Sequence, residues 1–255
     1  MIPGGATDNR RVKPQGLLIT LEGIDGAGKS TQLRLLASAL RERGCRVCVT
    51  REPGGTHIGE QIRKVLLASR NTQLAALSEL ALMYAARAQH LREVIRPALA
   101  QGDVVLSDRF NDASFAYQGY GRRLGAAAVR GLDRIICGAT QPNLTLLLDM
   151  APRVALQRAT TRENRIKSKQ RRFEMAGLEF QERVRNGYLA IARRNPKRVK
   201  VVNADRSIEE VQDEIRSIVD RFLRRRRGAR KRASSAEFVG RSKSFFPSKG
   251  GGSAS

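Results

Sequence analysis

Several groups of residues in this chain can act on phosphate, and each sits at a telling point of the sequence. Residues 23–30 read Gly-Ile-Asp-Gly-Ala-Gly-Lys-Ser. Gly23, Gly26 and Gly28 allow backbone conformations in which successive N–H groups turn inward on phosphate oxygens. Ile24, Asp25 and Ala27 complete the loop, and Thr31 follows in the first helical turn. Lys29 brings a cation to the β- and γ-phosphates of a nucleoside triphosphate, and the Ser30 hydroxyl can face Mg²⁺. The helix behind the loop adds the positive end of its dipole. Further along, Arg51-Glu-Pro-Gly-Gly-Thr56 puts an arginine beside a flexible Gly pair, where it can clamp a second anion bidentately. Asp108 can hold Mg²⁺ or orient an acceptor, and its neighbour Arg109 can bridge phosphates. A basic, polar segment then carries Arg158, Arg162, Arg165, Lys167, Lys169, Arg171 and Arg172, a composition suited to a lid over a transferring phosphoryl group. Phosphoryl transfer calls for positioning and for neutralisation of charge on the equatorial oxygens, which lysine, arginine and Mg²⁺ supply. His57 and His90 have no evident partners and read as ordinary helix residues. Glu22 and Glu52 read as ligands of metal-bound water or partners of Arg51, and Asp149 as a cap at a strand end.

The elements that must hold these residues alternate strand and helix. Apolar runs predict strands at Leu17–Glu22, Arg46–Thr50, Val104–Ser107, Leu144–Asp149 and Lys197–Asn203. Helical periodicity predicts helices over Lys29–Arg43, Ile58–Ser69, Leu74–Ala100, Ala126–Cys137, Arg153–Thr161, Gly177–Arg194 and Ile208–Leu223. Pro97 marks a kink or end in the long third helix, and Asn111–Tyr120 reads as a loop and a helix start. Five strands joined by helical crossovers imply an α/β fold with a parallel sheet covered by helices on both faces. Ligands of such sheets bind at the carboxyl ends of the strands. The Gly-rich loop, Arg51, Asp108, Arg109 and Asp149 all fall there, so they are expected to share one cleft.

The bulk properties narrow the setting. The 255 residues carry a formal charge of +24. Residues 224–255 hold ten Lys/Arg against one acid, Glu237, a balance of +9, which leaves +15 elsewhere. A basic balance suits nucleotides, nucleic acid or anionic lipid without choosing among them. Nowhere are there 18 consecutive apolar residues, so no transmembrane segment is expected. Residues 1–15 lack an apolar signal core and read as a disordered lead-in, with the cytoplasm as the expected compartment. Cys45, Cys48 and Cys137 are odd in number, and the single Cys45-Arg-Val-Cys48 pair has no second pair to complete a zinc site. After Leu223 the composition is that of a disordered basic tail, able to bind polyanions non-specifically.

Taken together, the runs Leu21-Glu-Gly-Ile-Asp-Gly-Ala-Gly-Lys-Ser-Thr31, Thr50-Arg-Glu-Pro-Gly-Gly-Thr56, Tyr84-Ala-Ala-Arg-Ala-Gln-His90, Asp108-Arg-Phe, Ala116-Tyr-Gln-Gly119 and Phe180-Gln-Glu-Arg-Val-Arg-Asn-Gly-Tyr188 resemble bacterial thymidylate kinases. They occur in family order over roughly residues 16–223. The resemblance implies a P-loop NTPase-type sheet with an arginine-rich lid, transfer of the γ-phosphate of ATP to dTMP with Mg²⁺, and a homodimer. It implies that residues 23–31 hold ATP, with Lys29 stabilising the transferred group, and that Ser30 and Asp108 lie near the metal. Asp25 would face the sugar and phosphate of dTMP. Arg51 and Arg109 would grip its phosphate, Arg87 would reach the thymine edge, Ser114 and Gln118 would contact the base, and Tyr117 would discourage a ribose 2′-hydroxyl. Arg158 and Arg162 match lid arginines of the subgroup whose loop lacks arginine, and Ala204-Asp205 would flank adenine. Two departures stand out. Met83 replaces the usual phenylalanine over thymine, where a thioether can still cover a ring. The lid, about residues 161–174, is long, with Asn164-Arg-Ile-Lys-Ser-Lys-Gln170 ahead of Arg171-Arg-Phe-Glu174. The expected organisation is thus a lead-in (1–15), a nucleoside monophosphate kinase domain (16–223) and a basic tail (224–255). Two other readings stay open: a kinase of another nucleoside monophosphate, and a P-loop protein whose basic tail binds nucleic acid or membrane.

Overall fold

The computed structural model describes residues 16–71, 73–166 and 172–243. The expected lead-in, lid residues 167–171 and the end of the tail lie outside them. Five strands, β1 (Leu17–Glu22), β2 (Val47–Arg51), β3 (Val104–Asp108), β4 (Leu144–Asp149) and β5 (Val199–Asn203), form one parallel sheet in the order β2-β3-β1-β4-β5. β1 is buried along its whole length, and β3 and β4 at all but their last residue. Burial on both faces is what near-continuous apolar runs in a parallel sheet require. Leu18, Leu80, Tyr84, Leu91, Ile95, Val105, Phe110 and Val129 form a core cluster.

The connecting helices are α1 (Lys29–Glu42), α2 (His57–Leu67), α3 (Ala76–His90), α4 (Arg96–Ala100), α5 (Asn111–Ser114), α6 (Gly125–Ile136), α7 (Pro152–Ile166), α8 (Leu178–Arg194) and α9 (Ile208–Lys243). Several boundaries differ from the sequence expectation. The single helix expected over Leu74–Ala100 is three pieces, α3, a π-helical turn at Leu91–Ile95, and α4. Pro97 has no N–H to donate back along the helix, and the wider π register precedes it. Asn111–Tyr120 is helical throughout, α5 running into a π-helical segment at Phe115–Gly121. Strands β2 and β3 each reach one residue further than expected, which makes Arg51 and Asp108 the ends of paired strands rather than loop residues. The helix expected over Arg153–Thr161 runs from Pro152 to Ile166 and takes in the start of the expected lid.

The chain divides into two units after Ile215. In the second unit, α9 continues past Leu223 to Lys243, where a disordered tail was expected. The extension is rich in Arg, Lys and Ala, which favour helix, and contains no proline. Among the described residues, none of the three cysteines is in a disulfide, and no helix is long and apolar enough to cross a membrane.

Candidate active site

At the carboxyl edge of the sheet, β1 passes directly into the Gly-rich loop and α1. Gly23 and Gly26 have φ of 137° and 90°. A Cβ on Gly26 would lie 2.0 Å from the Ala155 carbonyl oxygen, and one on Gly23 would lie 2.4 Å from that of Leu148. Only glycine fits either position, so the loop is pressed against β4 and α7. Lys29 is buried, and its Nζ donates to the Ile24 carbonyl at 3.0 Å. Burial and the nearby Arg109 charge push its pKa down, while Asp25, Asp108 and Glu22 work the other way. The Ser30 hydroxyl donates to Asp108 at 2.7 Å.

Arg109 follows β3 with φ of 74° and draws the second half of the site onto the loop. Nη1 donates to the Gly23 carbonyl at 2.8 Å and the Tyr188 hydroxyl at 2.9 Å. Nη2 donates to Asp25 at 2.7 Å and the Tyr117 hydroxyl at 3.0 Å, and the guanidinium lies 4.8 Å from the Tyr117 ring centroid. Burial opposes its charge, but Tyr117, Asp25 and Tyr188 outweigh that and hold its pKa well above the ordinary value. Arg51, at the end of β2, is exposed and chelated by Glu60 at 3.0 and 3.1 Å from Nη2. Burial raises the Glu60 pKa, but the Gly55 amide and Arg51 more than offset it, and the net shift is downward.

These groups line one polar cavity of about 400 Å³, bounded by Asp25, Lys29, Ser30, Arg51, Asp108 and Arg109 among others. Arg158 of α7 also lines it, with Nη2 3.3 Å from Asp205. That contact brings the Ala204-Asp205 turn to the loop side of the cleft. Arg162 lies one turn further along α7, and its side chain is outside the described ones. Arg172, counted with the lid arginines in the sequence, is buried instead, with Nε 2.5 Å from the Leu66 carbonyl and Nη2 2.7 Å from Glu79.

Behind the cavity, Arg87 of α3 is 2% exposed. It donates to Glu52 at 2.7 Å, to the Ser114 hydroxyl at 3.1 Å and to the Phe110 carbonyl at 3.0 Å, and its guanidinium lies 4.5 Å from the Tyr84 ring centroid. Each donor atom is used once, which leaves an N–H on each terminal nitrogen. Met83, one turn earlier on α3, is half-buried. Ser114, Tyr117 and Gln118 fall on one face of the α5 and π-helical stretch, and Gln118 donates to Glu79 at 2.7 Å.

The partners of several side chains differ from those expected. Glu52 is joined to Arg87 and His90, whereas Arg51 goes to Glu60. His90 is fully buried, with Nδ1 3.0 Å from Glu52 and Nε2 2.6 Å from the Thr50 hydroxyl. It is therefore a structural strut under the Arg51–Thr56 loop, and His57 meets Gln61 at 2.9 Å. Glu22 accepts from the Phe110 amide and the Tyr188 hydroxyl, both at 2.7 Å. Asp149 makes a bidentate pair with Arg185, 2.7 Å to each oxygen. Arg63, which the sequence did not single out, lines the cavity and donates to the Pro53 carbonyl at 2.9 Å. Its signal was a basic residue one turn from buried Gly59 and Leu66, on the inward stripe of α2.

For Mg²⁺, the residues present fit. A hydroxyl and a carboxylate, Ser30 and Asp108, already meet at 2.7 Å beside the loop, and a cation that keeps several waters and phosphate oxygens needs few protein ligands.

A family model described as thymidylate kinase matches residues 21–215. Among curated relatives, the chain is 48% identical over 213 residues to a thymidylate kinase of Pseudomonas putida (strain GB-1), spanning 84% of this chain and 99% of the relative. It is 47% identical over 214 residues to a thymidylate kinase of Symbiobacterium thermophilum, spanning 84% and 97%. A crystal structure of thymidylate kinase from Ehrlichia chaffeensis matches with a TM-score of 0.65 at 34% identity, over 81% of this chain and 99% of that one.

Proposed function

The chain belongs to the thymidylate kinase family and transfers the γ-phosphate of ATP to dTMP, giving dTDP, and we propose that its polar cleft does so as a two-phosphate site. One observation carries the assignment of halves: Asp25 of the phosphate loop is bonded at 2.7 Å to Arg109, so the donor loop and the acceptor's cation share one cavity.

On this reading residues 23–31 hold the ATP phosphates, with backbone amides and the α1 terminus facing them. Lys29 reaches the β/γ-phosphates from its seat on Ile24, where its lowered pKa reflects a charge poorly solvated until phosphate arrives. Arg109 and Arg51, assisted by Arg63, take the dTMP phosphate and bring its oxygen in line with the γ-phosphorus. Asp25 and Tyr117 hold Arg109 against the loop and limit its movement. Arg158 of α7 approaches the equatorial oxygens as charge redistributes, the positioning and neutralisation that phosphoryl transfer requires, and Arg162 is assigned to the same role. Ser30 and Asp108 would hold Mg²⁺, which when bound adds a divalent charge against the phosphate oxygens. Arg87 and Ser114, coupled at 3.1 Å, face the base together with Gln118, and Met83 covers it.

The test is a coupled assay with ATP and Mg²⁺ against dTMP, dUMP, dCMP and GMP. Turnover highest with dTMP supports the reading, and absence of dTMP turnover alongside turnover of another acceptor overturns it. Assembly as a homodimer and placement in the cytoplasm belong to the same proposal. Exposed Leu77 and Ile135, 62% and 77%, on α3 and α6 support the dimer, and sedimentation equilibrium tests it. The basic residues of 224–255 support non-specific polyanion binding.

A further inference from the structure

Glu79, in the first turn of α3, is fully buried and heavily bonded. Its Oε1 accepts from the Gln118 side-chain amide at 2.7 Å. Arg122 Nε stands 3.4 and 3.2 Å from the two oxygens, and its Nη2 lies 3.1 Å from Oε2. Arg172 Nη2 reaches Oε2 at 2.7 Å. Two guanidinium groups thus hold one carboxylate, and each is in turn packed on an aromatic ring, Arg122 at 4.5 Å from the Phe180 centroid and Arg172 at 4.7 Å from that of Phe173. The carboxylate is flanked by two cations, and its Oε1 is also taken by the Gln118 amide.

The chemistry at Gln118 follows from this. A primary amide presents a donor on one side and an acceptor on the other. An ionised carboxylate accepts and cannot donate, so the NH₂ of Gln118 must face Glu79. Its carbonyl then points the opposite way, and no described residue donates to it. Ser114 and Tyr117 share this helical face, the first joined to Arg87 and the second to Arg109.

We infer that Glu79 is a positioning residue for base selection, fixing the Gln118 amide so that a carbonyl rather than an NH₂ faces the acceptor base. The inference rests on the proposed base-contacting role of Gln118. A carbonyl there accepts from the ring N3–H of a 2,4-dioxopyrimidine such as thymine. At the same position cytosine presents a lone pair, and acceptor against acceptor is repulsive. Discrimination between the two pyrimidines is therefore set by a carboxylate that never touches substrate.

The test uses the full-length enzyme and three variants, with kcat and KM measured for dTMP and dCMP. Glu79→Gln keeps the shape but lets the Gln118 amide turn over. The expected result is a dTMP KM raised about tenfold, the scale of one misdirected buried hydrogen bond, with kcat changed less than about twofold and the dTMP-to-dCMP preference in kcat/KM reduced. An unchanged KM and preference, or an equal fall in kcat for both acceptors, overturns it. Glu79→Asp retains the charge and both arginines while withdrawing the oxygen by one methylene. It serves where Glu79→Gln fails to fold, with the same KM-only change expected and an unchanged dTMP KM again overturning the inference. Gln118→Ala separates the two layers. A raised dTMP KM in Gln118→Ala with none in the Glu79 variants refutes the Glu79 inference alone, and an unchanged KM in Gln118→Ala refutes the base-contact reading on which it rests.

Discussion

Replacing Glu22 by Gln should remove a pH dependence from the stability of the free protein. Glu22 is fully buried at the end of β1, where its two oxygens accept from the Phe110 amide and the Tyr188 hydroxyl. Burial first, then the charge of Asp112, pushes its carboxyl up from an ordinary value near 4.5 to about 8, against the opposing pull of Arg109 and the two hydrogen bonds. Between those two values the folded protein holds a proton that the unfolded chain has released. The stability attached to that proton is fully present below pH 4.5 and is lost as pH rises through 8. The slope in the window is about 1.4 kcal/mol per pH unit and flattens toward each end, so between pH 5 and 8 the loss attributable to Glu22 is at most about 3.5 kcal/mol. Gln has the shape of the protonated acid and does not titrate. Urea unfolding of both proteins at pH 5, 6, 7 and 8, without nucleotide, isolates the difference. The wild-type free energy of unfolding should fall relative to Glu22→Gln by up to about 3.5 kcal/mol across the series, with the denaturant slope unchanged. A constant difference, or one that widens in favour of wild type as pH rises, refutes the reasoning.

Other perturbations follow from the same geometry. Lys29→Ala should lower kcat for dTMP phosphorylation about a thousandfold with folding intact, as seen by steady-state kinetics and circular dichroism, because the transferring group loses its cation. Glu52→Ala leaves the 2%-exposed Arg87 without its carboxylate and should destabilise by about 3–5 kcal/mol in urea unfolding. The milder Arg87→Lys should mainly raise the dTMP KM, since a single ammonium cannot reproduce three separately directed donors. Deleting residues 224–255 should leave dTMP turnover within about twofold while reducing retention on a heparin column in a salt-dependent way.

The parallel sheet and the phosphate loop were legible because their signals are local. The apolar run Leu17–Glu22 and the glycines of 23–30 fix a buried strand and a tight anion cradle within fourteen residues. Arg51, Asp108 and Arg109 could be placed in one cleft because strand ends in such a sheet lie side by side, and the β2–β3 pairing of Arg51 with Asp108 bears this out. What the sequence concealed were partnerships across long separations. Nothing near His90 points to Thr50 and Glu52, which meet it only once β2 and α3 are packed. Arg172 sits in a run of basic residues and reads as one of the lid arginines, but the buried Glu79 withdraws it from that set. The reach of α9 to Lys243 was hidden for another reason: charge density suggests disorder, whereas the same residues carry high helix propensity.

The most direct test of the two-phosphate cleft is to compare dTMP with thymidine as acceptor, in the wild-type protein and in Arg109→Met, by following ADP release at saturating ATP and Mg²⁺. The two acceptors share base and sugar and differ only in the phosphate that Arg51 and Arg109 are assigned to hold. The account predicts efficient transfer to dTMP, none to thymidine, and a fall of at least about a hundredfold in dTMP kcat/KM for Arg109→Met. Transfer to thymidine at a comparable rate, or a variant that phosphorylates dTMP normally, would contradict it.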